Sequence, residues 1–407
     1  MVKTIVDVHV LQTVPPSNLN RDDTGSPKSA YFGGVLRSRV SSQAWKRATR
    51  LAFTDLLDPQ ELGTRTKRVA KLITDRIKER DSSISDEQAW QLVTEIISVA
   101  TGRKLEAPKR KTKGKGDETE DGSTEPESAY LMFLSARQCD ALAELALEGR
   151  DDIKSFLKDK ETKERAKSLG NTRHSVDIAL FGRMVADGAD VNVDAAAQVA
   201  HALSVHGIEP ESDYYTAVDD LRGEAEPGAG MIGTIEFNSA TLYRYAALDV
   251  DQLQRNLGAG LREDEDRTQP VRRAVEAFLH GFVESMPTGK VNTFGNNTLP
   301  EAVVVKLRAR RPLSFVSAFE EPVQASEDAG TGYLRDASQR LAQHVPQLEA
   351  SYGADTDTDT WVMRVGEPTE PLAQLGSEVT LPQLAEQAST AAAQRAEARA
   401  AQRTETR

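Results

Sequence analysis

Two groups of residues near the start of the chain carry side chains with chemistry to offer. Asp22-Asp23 is a pair of adjacent carboxylates, hard oxygen ligands of the kind that hold Mg²⁺ for cleavage of a phosphodiester. The second group follows in Tyr31-Phe32-Gly33-Gly34-Val35-Leu36-Arg37-Ser38-Arg39-Val40-Ser41-Ser42-Gln43-Ala44-Trp45-Lys46-Arg47-Ala48-Thr49-Arg50. At about 100° per residue, Lys46, Arg47 and Arg50 share an arc of about 100°, and Ala44, Ala48, Leu51 and Ala52 are expected opposite them. Ser41 or Ser42 is a good N-cap, so this basic stripe sits at the helix end whose dipole prefers anions. A bound phosphate resolves the conflict by taking backbone N–H groups, serine hydroxyls, Gln43 and the basic side chains together. Arg37 and Arg39 alternate along the preceding strand and are expected to extend that surface. Gly33-Gly34 is expected to allow close backbone approach. The plain alternative for any such stripe is a solvated basic face.

Other chemistries lack their residues. There is no Gly-x-x-x-x-Gly-Lys-Ser/Thr phosphate loop, no Gly-x-Ser-x-Gly elbow and no His-Glu-x-x-His pair. His9, His174, His201, His206, His280 and His344 show no metal-binding helical spacing, and the single Cys139 excludes an internal disulfide and a cysteine zinc site. The expectation is a binding protein without a cofactor, with a metal-dependent endoribonuclease using Asp22 and Asp23 as the alternative.

The elements that must position these residues are mixed. A strand is expected over Lys3–Thr13, a polar loop over Pro15–Ala30, a second strand at Val35–Val40 and a helix over Ser42–Leu57. A mainly helical region follows, with Leu62–Arg80, Asp86–Ala100, Ala136–Leu147 and Ile153–Ala166. It is interrupted at Arg103–Glu127 by a low-complexity stretch that passes from basic to acidic. Asp194–Val205 reads as a further helix. Gly233–Val250 alternates as strand, with Ile235, Phe237, Thr241, Tyr243 and Tyr245 on one face, and a helix at Gln269–Ser285 and a strand at Ala302–Leu307 complete the pattern. The fold class expected is α+β, with a ferredoxin-like or RNA-recognition-motif-like β-α-β-β-α-β core and large helical insertions. Residues 387–407, rich in Ala, Arg, Glu and Gln, read as a frayed helix or structureless tail.

The 407 residues are 39% hydrophobic and 28% charged, enough for a sizeable core in a soluble chain without an apolar run of membrane-spanning length. The strand-like start at Val2 shows no leader pattern, which is the reading expected of a cytoplasmic protein. A net charge of −12 argues at first against a nucleic-acid binder, but it is unevenly spread. Residues 1–116 hold 22 Lys and Arg against 13 Asp and Glu, and the rest hold 29 against 50. Such polarity suits a basic working surface and an acidic remainder, and suits head-to-tail contact between copies.

Leu19-Asn20-Arg21-Asp22-Asp23, the Phe-Gly-Gly then Arg-x-Arg-Val-Ser-Ser-Gln-x-x-Lys-Arg-Ala run, and Tyr215-Thr216-Ala217-Val218-Asp219-Asp220-Leu221 closely resemble the type I-E CRISPR Cascade backbone subunit, the CasC (Cse-type) family. Phe181-Gly182-Arg183-Met184, Gln198-Val199-Ala200-His201-Ala202 and Tyr243-Arg244-Tyr245-Ala246 match in the same order, covering roughly Lys3 to Phe319. The resemblance implies a hand-like, non-catalytic subunit that stacks with other copies of itself along the CRISPR RNA. Its partners would be target DNA, the large, small and guide-end subunits of Cascade and, indirectly, a recruited helicase-nuclease. On this chain it implies an RNA-recognition-motif-like palm (1–60, a palm helix at 189–204, and 238–366). It also implies helical fingers at 61–188 and a protruding thumb hairpin at 205–237, whereas the charged loop at 103–127 and the acidic to Ala/Arg-rich C-terminal tail at 367–407 match the family poorly.

By the same carry-over Arg21, Ser41, Gln43, Lys46 and Arg50 look like guide-backbone contacts, with Arg39 and Arg47 on the same surface. Met184 is the candidate to wedge beside a displaced base, core packing being its plain alternative. Lys290, with Asn292, lies in a glycine-containing contact loop, Met286–Asn292. In the finger insertion, Lys109, Arg110, Lys111, Lys113 and Lys115, with Arg103 and Lys104, are the candidate grip on DNA phosphates, since a lysine-rich loop holds phosphates without reading sequence. Solubility is the alternative for that run, and an ordinary surface loop is the alternative for the thumb.

Overall fold

The computed structural model describes residues 2–106, 126–128, 131–184, 192–217, 231–262, 264–325, 332–353 and 358–405. The chain divides into two compact units, one of residues 1–56, 197–251 and 271–407, the other of residues 57–196 and 252–270. Residues 189–196 and 252–270, expected in the palm, thus belong with the helical unit.

The first unit is built on one large, mainly antiparallel sheet. Its strands are β1 (Ile5–Ser17), β2 (Ser29–Phe32), β3 (Val35–Val40), β8 (Ala197–Val199), β9 (Ala202–Ser204), β10 (Glu211–Ala217), β11 (Met231–Asp249), β12 (Ala302–Arg308), β13 (Asp359–Arg364) and β14 (Ser377–Glu378). They run in the order β14-β13-β12-β1-β11-β9-β3-β2, with β8 on one side of β11 and β10 paired to its N-terminal half. The helices here are α1 (Ser42–Leu56), α10 (Val291–Phe294), α11 (Tyr333–Ser351) and α12 (Leu381–Glu405). Helix α8 (Val250–Gly258) leads out of this unit and α9 (Thr268–Glu284) leads back into it.

Both faces of the central strands are covered, so β1 and β12 are buried along nearly their whole length instead of alternating with solvent. On one face Ile5, Leu11, Tyr243 and Tyr245 pack with Phe315, Leu341 and Val345, the last two from α11. On the other, Trp45 of α1 joins Val14, Val40, Ala240 and Leu242. There the Arg244 guanidinium lies 3.7 Å over the Trp45 ring and 4.7 Å over Phe282 of α9, and donates to Gln12 Oε1 at 2.6 Å and to the Phe282 carbonyl. Helices α1 and α9 touch closely: a Cβ added at Gly281 would lie 3.2 Å from the Thr49 carbonyl oxygen.

Three expectations are corrected here. Of the palm helix expected over 189–204, residues 189–191 lie outside the described residues and residues 197–204 are instead the strand pair β8 and β9, joined to β11 and β3, because Ala202 and Ser204 are buried against partners supplied from elsewhere in the chain. Of the tail expected at 387–407, residues 387–405 form most of α12, a packed helix. Its stripe of Ala385, Ala388, Ala392, Ala393 and Ala396 is buried, and α12 contacts β12, β13 and β1. A stripe of alanines gives little periodic contrast in hydrophobicity, yet it allows close backbone approach. Leu51 is 52% exposed beside Arg47, and the buried face of α1 is Trp45, Ala48, Thr49 and Phe53.

The second unit is helical: α2 (Val69–Arg80), α3 (Asp86–Thr101), α4 (Ala136–Glu148), α5 (Ile153–Phe156), α6 (Lys160–Gly170) and α7 (Val176–Phe181). Two small ribbons, β4 (Gly63–Thr66) with β7 (Met132–Ser135) and β5 (Leu105–Glu106) with β6 (Glu127–Ser128), complete it. Ser85–Gln88 and Ser135–Gln138 are full capping boxes that start α3 and α4. Asp159 caps α6 and so divides the helix expected over 153–166. The core is aliphatic, from Val69 and Ile73 through Ile96 and Ile97 to Leu142 and Leu145.

Candidate nucleic-acid interface

In the first unit, three ties gather the basic residues. Ser41 caps α1: its carbonyl accepts from Trp45 N–H and its hydroxyl from Ala44 N–H at 3.3 Å, while its own N–H donates to Asn20 Oδ1 at 2.9 Å. That last bond joins the loop carrying Arg21 to the start of the helix. A second tie runs from Lys28 N–H to the Asn20 carbonyl and from Arg39 N–H to the Lys28 carbonyl. The third is steric. A Cβ on Gly289 would lie 2.1 Å from the Leu19 carbonyl oxygen, so the loop bearing Lys290 packs directly on the Leu19-Asn20-Arg21 segment. Lys290 itself takes a left-handed backbone, φ 46°, as the residue that starts α10.

Along α1 the exposed or half-buried face is Gln43, Lys46, Arg47 and Arg50, which fall within an arc of about 100° as the sequence spacing predicts. Arg39 is half-buried; its Nε donates to the Ser29 carbonyl at 3.2 Å, and one of its terminal nitrogens lies 3.5 Å from His201 Nδ1. Arg21, Arg39, Ser41, Gln43, Lys46, Arg47, Arg50 and Lys290 therefore belong to one unit, on elements that are joined to one another.

The neighbouring expectations are corrected. Arg37 is fully buried and donates to the carbonyls of Phe32, Ser204, Phe319 and Glu320, so it holds the sheet together and does not extend the surface. Gly33 and Gly34, at φ 59° and 79°, form the two-residue turn of the β2–β3 hairpin. A Cβ at Gly33 would overlap the Glu320 carbonyl, so its close approach is to the protein's own backbone.

The Asp22 carboxylate is occupied locally. Its Oδ1 accepts from Thr24 N–H at 2.9 Å, Thr24 Oγ1 at 2.7 Å and Ser26 N–H at 3.1 Å. The Thr24 hydroxyl first, and the backbone donors after it, hold its pKa below the ordinary carboxylate range. Asp22 thus closes the turn that presents Arg21.

His201, Asn20 and Lys28 went unnoticed as site residues. His201 Nδ1 accepts Ser42 N–H at 3.2 Å, which fixes the first turn of α1 and requires a neutral ring. Burial, then the charges of Arg39 and Lys28, lower its pKa. The only hint in the sequence was that Asn20 and His201 fall inside short matched runs.

A family model described as CT1975-like protein matches residues 6–387. The chain belongs to that family. Among solved structures, the CT1975-like chain is similar to one titled "CRISPR RNA-guided surveillance complex, pre-nicking", at 33% identity and TM-score 0.77, over 95% of this chain and 100% of that one. A second, titled "CRISPR RNA-guided surveillance complex", is 30% identical at TM-score 0.68, over 95% of this chain and 99% of that one. No curated protein matches it.

In this CT1975-like protein Met184 lies in the helical unit and is 89% exposed, which removes core packing as its role. Arg183 beside it is buried and donates to the Phe133 and Gly170 carbonyls and to Asn171 Oδ1. The expected DNA-binding residues Lys109, Arg110, Lys111, Lys113 and Lys115 lie outside the described residues. Among the described residues no group of three or more His, Cys, Asp and Glu is placed to hold a metal ion, and no helix is long and apolar enough to cross a membrane.

Proposed function

We propose that this chain is a non-catalytic CRISPR RNA-binding backbone subunit of a type I-E Cascade surveillance complex, copies of which polymerise along the guide and present it for pairing with target DNA. The observation that carries the reading is the joined basic surface of Arg21, Arg39, Lys46, Arg47 and Lys290 around the capped start of α1, in a chain that matches members of CRISPR RNA-guided surveillance complexes over nearly its full length. The sheet unit is the palm in this reading and the helical unit the fingers. The hairpin of 211–217 with 231–237 is the root of the thumb, and exposed Met184 is the wedge beside a displaced base. Sequence recognition is left to base pairing, because phosphate contacts position a strand without reading it.

The test is to co-express the tagged chain with its partner subunits and a CRISPR array, then size the RNA that survives nuclease treatment. A discrete guide-length RNA protected by several copies is expected, and heterogeneous or absent RNA would overturn the reading. With purified components, Lys46→Ala combined with Arg50→Ala is expected to reduce the slope of log affinity against log salt by about 1.4, roughly 0.7 for each lost phosphate contact. Asp22→Ala with Asp23→Ala is expected to leave RNA intact and uncut, as in the parent; a cleavage activity that these changes remove would restore the endoribonuclease alternative.

A further inference from the structure

Tyr243, Tyr245 and Trp361 of the sheet are buried, whereas Tyr31 of β2 is 82% exposed. The support beneath it is fixed. β2 is an edge strand of the sheet and is joined to β3 by the Gly33-Gly34 turn. A Cβ at Gly33 would overlap the Glu320 carbonyl, and the Phe32 ring lies 5.5 Å from the guanidinium of Arg37, which is itself held by backbone carbonyls of Phe32, Ser204, Phe319 and Glu320. An aromatic ring presented on such a support offers contact area at little cost in ordering.

Strand register places the ring. Tyr31 pairs with Leu36, and along β3 Leu36, Ser38 and Val40 share one face of the sheet. Val40 packs with Trp45 of α1, and the Ser38 hydroxyl donates to Asn238 Oδ1 at 3.0 Å. Tyr31 therefore stands on the face that α1 covers, at the far end of a row about 13 Å long that leads to the start of that helix. Midway along the row, Ser38 lines a hollow open to solvent together with Asn20, Lys28, Arg39 and Asn238. Asn20 is the residue that holds Ser41 N–H at the helix start, and Arg39 Nε donates to the carbonyl of Ser29, only about 7 Å back along β2 from Tyr31. An exposed ring as such needs no partner. This one ends a row that begins at the proposed phosphate site and passes Lys28 and Arg39, within reach of a short run of nucleotides.

We propose that Tyr31 is a stacking platform for a nucleobase of the bound strand, its ring meeting the face of the base while Lys28 and Arg39 hold the adjoining phosphates. Stacking tolerates any sequence, because every base has a π-face. It also leaves the hydrogen-bonding edge of the base uncovered. Both properties suit a surface that must hold a guide of any sequence and keep it able to pair. The inference rests on the reading of this surface as RNA-binding and adds to it a contact made to a base.

The experiment measures affinity and salt slope of the full chain for a guide-length RNA and for an abasic strand of the same length, which keeps ribose and phosphate and carries no bases. The parent is expected to bind the RNA at least about tenfold more tightly than the abasic strand. Tyr31→Ala is expected to bind RNA about tenfold more weakly than the parent, with the salt slope unchanged, and to bind the abasic strand as the parent does. Tyr31→Phe, which keeps the ring, is expected to match the parent on both strands, and Tyr31→Leu, apolar but without a π-face, to match Tyr31→Ala. Because the ring is exposed, chemical unfolding should show the same stability for all four chains. Unchanged RNA affinity in Tyr31→Ala would overturn the proposal. So would an equal loss on both strands, the result expected of a ring that meets a second copy of the chain. Salt-dependent RNA binding that Tyr31→Ala leaves intact sinks the stacking alone, whereas no binding of either strand by the parent sinks the RNA-binding reading with it.

Discussion

The sheet unit keeps charge in its core, with Asp7, Arg244, Lys306 and Arg308 buried beside a neutral His9, whereas the core of the helical unit is aliphatic and its buried Asp177 and Arg183 lie at seams between elements. In the sheet, Asp7 pairs with Arg308 and accepts from Tyr245 at 2.9 Å, while Glu349 receives both Arg308 at 2.8 Å and Lys306 at 3.3 Å. In the helical unit, Gln138 donates to the Thr172 carbonyl and the Ser135 hydroxyl to the Arg173 carbonyl, so polar groups fasten helix ends to loops. The difference teaches what each unit has to solve. Helices satisfy their own backbone and need polar groups only where they stop. A sheet covered on both faces has no water beside it, so each buried charge there must find its partner inside the fold.

The largest test of this contrast is Arg244→Ala, which removes a buried guanidinium from between Trp45 and Phe282 and leaves Gln12 Oε1 without its donor. A loss of about 4 kcal/mol is expected in urea unfolding, together with faster hydrogen exchange along β11. A loss below about 1 kcal/mol would show the buried charge to be incidental.

Acid sharpens the comparison, because Asp7 of the sheet unit is displaced in the opposite sense to His174 of the helical unit, while His9 beside it in β1 is displaced in the same sense as His174. His174 accepts from Gln138 Nε2 at 3.3 Å, and burial, followed by the charge of Arg183, pulls its pKa down to about 4. The unfolded chain therefore takes up this proton first as pH falls. The stability it provides is complete above about 6.5 and is lost as pH drops toward 4, amounting to about 3 kcal/mol. Burial pushes the Asp7 carboxyl up to about 6 against the pull of Arg308. There the folded state binds the proton first, so stability from this group rises as pH falls from about 6 to about 4. His174→Gln is expected to flatten the acid loss read by hydrogen exchange in α4, and Asp7→Asn to steepen the acid loss in β1, where Asp7 opposes the contribution of His9. Changes of the same sign on the two substitutions would break the contrast.

The smallest effects compare two caps. Ser135→Ala and Ser41→Ala are each expected to cost about 1 kcal/mol of stability in chemical unfolding. Only Ser41→Ala should also weaken RNA binding, since its hydroxyl holds the Ala44 N–H at the start of the helix that carries Lys46, Arg47 and Arg50. Equal loss of RNA binding in Ser135→Ala would place the interface more widely than α1.

Legibility followed the range of the interactions. Helices α3, α4 and α9 were readable within about a residue at each end, because cap and apolar period lie within a single turn or two of sequence. The basic face of α1 was readable for the same reason. Arg37 was misread because, on strand spacing alone, it is indistinguishable from Arg39; only the arrival of the Ser204, Phe319 and Glu320 carbonyls makes it a core residue. Residues 197–204 looked helical because alanines carry no strand signal, and their partners lie 38 to 51 residues away in β11 and more than 160 away in β3.

What the sequence determined by itself was local: the capped amphipathic helices, the alternating strand of Tyr243 and Tyr245, the two-glycine turn, and a basic cluster whose spacing fits a phosphate-bearing strand. What the tertiary structure decided was which charges serve that surface and which are buried in the fold. It joined β1 to β11 and β12 across more than two hundred residues, brought Gly289 onto Leu19 and His201 onto Ser42, and opened the hollow at Asn238. The physical reason is that hydrogen-bond partners and desolvation depend on what lies within a few ångströms in space, and for a sheet of distant strands that neighbourhood is not written in any short stretch of chain.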